Sequence, residues 1–161
     1  MITKQEVLTA LDSVKDPEIP SVSIVDLGMV TSVDIDSNNY VRINLTPTFT
    51  GCPAIKMIED SVREKVNDLK VNGVEVKTNY DVQWNSDMIS DNGRELLKKH
   101  GLAPPLRHNG RLTIEDIVKA ECPYCGSSET AIKSLFGSTL CRSIRYCNNC
   151  LQSFEQFKPV V

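Results

Sequence analysis

Apolar positions in the first half of the chain alternate between a helical and a strand period. Val7, Leu8, Leu11 and Val14 recur at helical spacing behind Thr3 and Glu6, the Thr-x-x-Glu signature of a helix start. Pro17 disfavours the α region in the residue before it, so this helix stops there. The stretch from Asp16-Pro17-Glu18-Ile19-Pro20 to Asp26-Leu27-Gly28 mixes two prolines and a glycine with apolar residues, and reads as a shaped loop. Val30, Val33 and Ile35, then Val41, Ile43 and Leu45, flank a polar turn at Ser37-Asn38-Asn39, which predicts a β-hairpin. Helical spacing returns at Ile55, Ile58, Val62, Val66 and Leu69, in a second helix beginning near Cys52–Pro53. Gly73 ends it. Val74 and Val76 open a strand, and Tyr80, Val82 and Trp84 continue the alternation as the same strand bent, or as another.

The order α-β-β-α-β, with a further β if residues 80–84 form their own strand, predicts an α+β fold. Two helices cover one face of a mostly antiparallel sheet in two layers. Ser90 caps a third helix containing Leu96 and Leu97. Lys98, Lys99 and His100 lie in its last turn and Gly101 follows it. Pro104 and Pro105 prevent continuation. We therefore expect a first domain over 1–101, a linker over 102–118 with one short helical turn near its end, and a small module over 119–161.

That module carries the strongest chemical signal. Cys122-Pro-Tyr-Cys125 and Cys147-Asn-Asn-Cys150 are two C-x2-C pairs, and each pair can aim two thiolates at one ion from a tight turn. Together they complete a tetrahedral sulphur site, a four-cysteine zinc ribbon, although iron uses the same ligands. Four protein ligands leave no open position, which points to structure or docking rather than catalysis. Phe154 and Phe157 mark a final strand. Cys141 stands too far from Cys147 for a usual knuckle, so it is left out of the ligand set.

Composition adds constraints. The 161 residues carry a net charge of −3, and the segment from Lys119 onward holds five Lys/Arg against three Asp/Glu. Without a dense basic stripe, nucleic acid is disfavoured as a partner, even though Arg142, Arg145 and Lys158 are available for phosphate and Tyr146 for stacking. No apolar run reaches the roughly 18 residues that a membrane span needs. The start of the chain lacks the apolar core of a signal peptide, so a cytoplasmic location is expected. In that compartment the six cysteines read as ligands or reactive thiols before disulfides.

The sixth cysteine lies elsewhere, in Thr50-Gly51-Cys52-Pro53. If Pro53 takes the first helical position, Cys52 sits at or beside the cap, where unpaired N–H groups favour a thiolate. Such a sulphur is a reactive thiol or an exchangeable soft-metal ligand. The alternative is a small core residue in a turn. Asp16, Glu18 and Asp26 come near it if the shaped loop packs on the helix start, and they serve equally as caps and turn residues. His100 and His108 are the only histidines, and no spacing pairs either with a cysteine. Neither a phosphate loop nor a dinucleotide fingerprint is present.

Asp16-Pro17-Glu18-Ile19-Pro20, Asp26-Leu27-Gly28 and Leu45-Thr46-Pro47-Thr48-Phe49-Thr50-Gly51-Cys52-Pro53-Ala54 resemble the DUF59, or iron–sulphur cluster assembly-like, family. With Cys122-Pro123-Tyr124-Cys125-Gly126-Ser127, Phe136-Gly137-Ser138-Thr139, Cys141, Cys147 and Cys150, the chain is similar to its PaaD type, the small accessory proteins of phenylacetyl-CoA ring-epoxidising oxygenases. The resemblance implies maturation or assembly rather than turnover, with an oxygenase or reductase client. It implies that Cys52 is an exchangeable ligand for a transient iron–sulphur cluster or iron, with Asp16, Glu18, Asp26 and Thr50 around it. Cys122, Cys125, Cys147 and Cys150 are then the ribbon ligands. One cysteine cannot hold a cluster, so a homodimer or the client supplies the rest. A non-catalytic docking subunit and a general maturation adaptor are the alternatives.

Overall fold

The computed structural model describes the whole chain, Met1–Val161. It divides into two compact units, Met1–Trp84 and Asn85–Val161. No helix is long and apolar enough to cross a membrane.

The first unit opens with α1 (Lys4–Leu11). Its capping box is complete: the Thr3 side chain accepts from the Glu6 N–H, and Glu6 reaches back to the Thr3 N–H. Two short antiparallel strands follow, β1 (Lys15–Asp16) and β2 (Ile19–Ser23), in the stretch expected to be only a shaped loop. The two prolines do not prevent this, because Pro17 lies in the connecting turn and Pro20 is exposed.

The hairpin forms as expected, from β3 (Val30–Ile35) and β4 (Tyr40–Leu45), with Val33 opposite Ile43. Asn39, in the turn, has φ 58°, a conformation that asparagine tolerates better than most residues. Helix α2 (Ile55–Asn67) then crosses over to β5 (Gly73–Thr78), which pairs parallel with β4. The sheet order is β3-β4-β5, so the sheet is mixed rather than mostly antiparallel. A strand reached through a helical crossover returns in the same direction, whereas only a hairpin reverses it. Gly73 is required by packing: a Cβ there would meet the Tyr40 ring at 2.5 Å.

Both helices bury one stripe. Val7 and Leu11 of α1, and Ile58, Val62 and Val66 of α2, are buried together with Val41, Ile43 and Leu45 of the central strand. Each such side chain contributes about 1.5–3 kcal/mol of transfer free energy. Residues 80–84 make no further strand. Tyr80 and Val82 are exposed, and Trp84 is buried with its indole N–H donating to the Leu27 carbonyl at 2.8 Å.

The second unit begins with a short 3-10 turn over Ser86–Met88 and α3 (Asp91–Lys99), which Ser90 caps by accepting from the Gly93 N–H. Gly101 follows α3 at φ 83°. Leu102–Ala103, expected to belong to a linker, is a buried strand β6. Next comes α4 (Ile114–Val118), the short helical turn expected there, with Thr113 and Asp116 as its capping box. The ribbon strands are β7 (Thr130–Ser134), β8 (Arg142–Cys147) and β9 (Ser153–Phe157), in sheet order β6-β9-β8-β7. Because β6 pairs parallel with β9, α3 and its strand belong to the same unit as the ribbon. The proline pair therefore marks a bend inside a unit, whereas the units part at Trp84/Asn85.

Candidate metal centre and the Cys52 turn

Two tight turns carry the four ribbon cysteines. Cys122–Cys125 precedes β7, closed by the Gly126 N–H donating to the Cys122 carbonyl, with Gly126 at φ 74°. Cys147–Cys150 joins β8 to β9. There the Cys150 N–H points at the Cys147 sulphur at 3.5 Å, and Leu151 takes φ 62°. The four sulphurs all lie within 4.8 Å of one another, with Cys122–Cys150 and Cys125–Cys147 each at 3.6 Å. A tetrahedral ion with metal–sulphur bonds of ~2.3 Å separates its ligands by roughly 3.8 Å, so the donor set fits one ion. None of the six cysteines is in a disulfide, and no pair approaches the ~2.05 Å such a bond requires.

The surroundings suit a closed site. Cys122 and Cys147 are buried with Ala103 of β6 and Phe154 of β9, and Cys150 packs against them. Cys125 is the exposed corner. Its thiol is held down to about 6, first by the Ser127 backbone N–H and then by the Asn149 side-chain amide. Cys150 is pushed up to about 12, chiefly because lost solvent penalises its charged form. Four thiols this close do not all ionise in the metal-free protein, and a bound cation supplies the charge that lets them do so. Cys141 lies outside this set, its sulphur 3.0 Å from the Thr139 hydroxyl.

The Cys52 turn is built differently. Thr46 anchors its base: the backbone N–H donates to the Met29 carbonyl at 2.8 Å and the hydroxyl to the Val82 carbonyl at 2.7 Å. The chain then turns, with the Cys52 N–H on the Phe49 carbonyl and the Ile55 N–H on the Cys52 carbonyl. Helix α2 starts at Ile55 with Ala54 as N-cap, so Cys52 is not the cap and Pro53 is not its first residue. The physical reason is this extra turn, which places Pro53 just outside the helix instead of inside it. Ala54 offers no side-chain cap, leaving the first N–H groups of α2 uncapped from that side. Cys52 is half-buried, and Thr50 and Gly51 are exposed. One turn into α2, Met57 is also exposed.

Asp16 is buried and accepts from the Glu18 N–H at 2.8 Å. Asp26 is buried too. Ser23 donates its hydroxyl to the Asp26 carboxylate, while the Asp26 N–H donates to the same Ser23 oxygen. Glu18 is exposed. These carboxylates shape their loop, and Cys52 does not join them in a set of three or more ligands around one point. That kind of set exists only in the ribbon. Trp84, to which the sequence pattern gave only a place in a strand, fixes the turn next to Asp26 through its bond to Leu27. Its being the only tryptophan was the available signal.

Other candidate groups are engaged elsewhere. Arg142 and Arg145, considered above for phosphate contact, are buried. Arg142 pairs with Glu155 at 3.0 Å. His100 is exposed at the end of α3. His108 is buried, with Nε2 2.9 Å from the Val160 carbonyl and Nδ1 accepting from the Gly110 N–H. Ser86 lies 3.2 Å from the same ring, but its hydroxyl donates to the Val160 carbonyl and its oxygen accepts the Val160 N–H. It is a fastening for the last residues, not a nucleophile.

Two family models match the chain. Residues 4–78 fit "Iron-sulfur cluster assembly protein" and residues 108–158 fit "PaaD zinc beta ribbon domain". A protein of Escherichia coli described as a putative subunit of 1,2-phenylacetyl-CoA epoxidase is 35% identical over 155 residues, covering 96% of this chain and 92% of the relative. An "Fe-S protein maturation auxiliary factor" of Porphyromonas gingivalis is 38% identical over 90 residues, covering 55% of this chain and 85% of its own. The crystal structure of a DUF59 domain from Bacillus anthracis superposes with TM-score 0.55 at 32% identity, covering 58% of this chain and 90% of that one. A conserved hypothetical protein from Thermotoga maritima gives TM-score 0.53 at 35% identity, covering 63% and 96%.

Proposed function

Because the chain belongs to the PaaD-like family, which joins an iron–sulphur cluster assembly domain to a zinc beta ribbon, we propose that it is a maturation factor that helps place an iron–sulphur cluster or metal centre in a client protein. Relatives covering about half of this chain are described as auxiliary factors of iron–sulphur maturation. The relative spanning both units is described as belonging to a phenylacetyl-CoA epoxidase, which supports an oxygenase system as the setting. Of the oxygenase and reductase clients that the resemblance implies, a reductase carrying an iron–sulphur centre is the more natural one, since a thiolate suits cluster chemistry.

The observation that carries this reading is the division of sulphurs. Four are gathered in a closed set, and a fifth, Cys52, stands on an anchored turn in the other unit. The closed set holds a resident ion, for which zinc is proposed. With every position filled by protein, that ion contributes folding energy and no open coordination site. Cys52 is the proposed exchangeable ligand. The half-buried Cys52 sulphur can bond to one iron of a cargo cluster and give it up when the client's thiolates replace it. The remaining ligands come from a second copy or from the client. Asp16, Glu18, Asp26 and Thr50 are proposed to shape the approach rather than to bind. The role is assembly, not turnover of a substrate.

The test is to reconstitute the client reductase with this protein carrying Cys52→Ser, measuring both complex formation and cluster content. Binding is expected to survive while loading falls. Unchanged loading would remove Cys52 from the mechanism and favour a docking subunit that works through its surface alone.

A further inference from the structure

One face of the ribbon sheet contains a charge that the metal centre does not use. Ser143 of β8 stands directly opposite Gln156 of β9, and Arg145 follows on the same face. Arg145 is 1% exposed, although arginine is almost never buried without a partner anion. Its Nε donates to the Gln156 Oε1 at 2.6 Å, and its two terminal nitrogens donate to the Val118 and Ile117 carbonyls at the end of α4. No carboxylate reaches it, and its guanidinium feels burial alone. The Gln156 side chain is 0% exposed, and its Nε2 has no hydrogen-bond partner.

Both residues line a recess of about 120 Å³. Lys158 also lines it, with its ammonium 4.7 Å from the centre of the Phe136 ring, while Ile117, Ile132, Leu135 and Pro159 supply apolar wall. Capping of α4 accounts for two of Arg145's bonds. It does not account for a buried amide with an unspent donor beside a cation with no counter-charge. Each costs free energy when left so.

We infer that this recess is a binding site for a single carboxylate carried on a short branched or aromatic apolar group. One acid oxygen takes the Gln156 amide hydrogens within the field of Arg145, and the apolar body lies against Ile132 and Leu135. The recess is far below the roughly 300 Å³ at which drug-sized ligand pockets begin, so nucleotides and cofactors are excluded by size. Two sources carry this chemistry: a free short-chain acid, and the C-terminal residue of a peptide chain ending in leucine.

The test is a ¹⁵N NMR titration of the full-length, metal-loaded protein, reading the Gln156 side-chain amide and the Arg145 Nε–H. The probes are 4-methylpentanoate, the uncharged 4-methylpentanamide, and acetyl-Gly-Gly-Leu with a free carboxylate. Saturable shifts are expected with the acids and at least tenfold weaker binding of the amide. Gln156→Glu, which puts a carboxylate beside Arg145 from within, is expected to abolish acid binding. Leu135→Trp, at an exposed position, blocks the mouth without touching the polar groups and is expected to abolish it too. Tighter binding of the tripeptide assigns the site to a chain terminus, and tighter binding of 4-methylpentanoate assigns it to a free acid. Absence of saturable shifts with either acid, equal affinity for the amide, or acid binding that survives in Gln156→Glu would overturn the inference.

Discussion

The two units of this chain solve the same problem with different interiors. The first buries Val7, Leu11, Val22, Leu27, Leu45, Val62 and Val66 to 0% exposure, an apolar core between two helices and a sheet. The second buries cysteines, Arg145, Gln156, His108 and Ser86 beside comparatively few aliphatic side chains. Area removed from water stabilises the first. A small unit with a polar interior depends on its hydrogen bonds and, on the proposed reading, on a bound ion. On that reading, the difference teaches where exchange is tolerable: Cys52 would release a cargo from a turn on the apolar unit without unfolding it, whereas a ribbon built around an ion would lose its shape with that ion.

Removing the metal should separate the units most sharply. Stripping the ion with a strong chelator, or changing Cys147→Ser, is expected to unfold the ribbon strands while amide protection in α2 and β4 persists. Structural zinc sites are worth about 10–16 kcal/mol of apparent binding free energy, so the loss should be complete. A single cooperative unfolding of the whole chain would break the contrast. Ile58→Ala, in the α2 stripe, is the converse experiment. It should destabilise the first unit by about 2–5 kcal/mol in denaturant titration and leave ribbon metal affinity unchanged.

The third expectation concerns protons. Cys125 is already largely ionised above about 6, but Cys150 is raised to about 12 and keeps its proton at neutral pH. Metal binding must expel that proton, so affinity should rise as pH rises from about 6 upward, with proton release visible in differently buffered calorimetry. The raised pKa also fixes the sign in the metal-free ribbon. The neutral thiol's contribution is fully present below the ordinary thiol range and is lost as pH rises towards about 12. A pH-independent affinity would mean that the thiols are already charged. The smallest effect is local. Thr113→Ala removes the α4 capping box and should cost about 1 kcal/mol in the ribbon unit only.

Local periodicity made the helices, the hairpin and the ribbon legible, because a capping box such as Thr3–Glu6 or a C-x2-C pair is decided within a few residues. What escaped was decided at a distance. The parallel pairing of β5 depends on a crossover, and the alternation of Tyr80, Val82 and Trp84 imitates a strand although only Trp84 is buried. Proline at Pro53 is compatible with either side of a helix start, so the extra turn before α2 was not readable. Leu102–Ala103 looked like linker because two prolines follow it, and its partner β9 lies some fifty residues on. The four ribbon ligands were legible as a set, whereas the extra turn between Cys52 and the start of α2 required the fold.

The most direct test of the two-site account is metal and cluster analysis of the protein itself, in the homodimeric form in which a second copy supplies the other ligands, after reconstitution with iron and sulphide. With Cys52→Ser, the ribbon's resident ion is expected to remain at its wild-type content while the visible absorption of a reconstituted cluster disappears. If the cluster instead persists in Cys52→Ser and vanishes with Cys122→Ser, the cargo sits on the ribbon and the division of labour proposed here is contradicted.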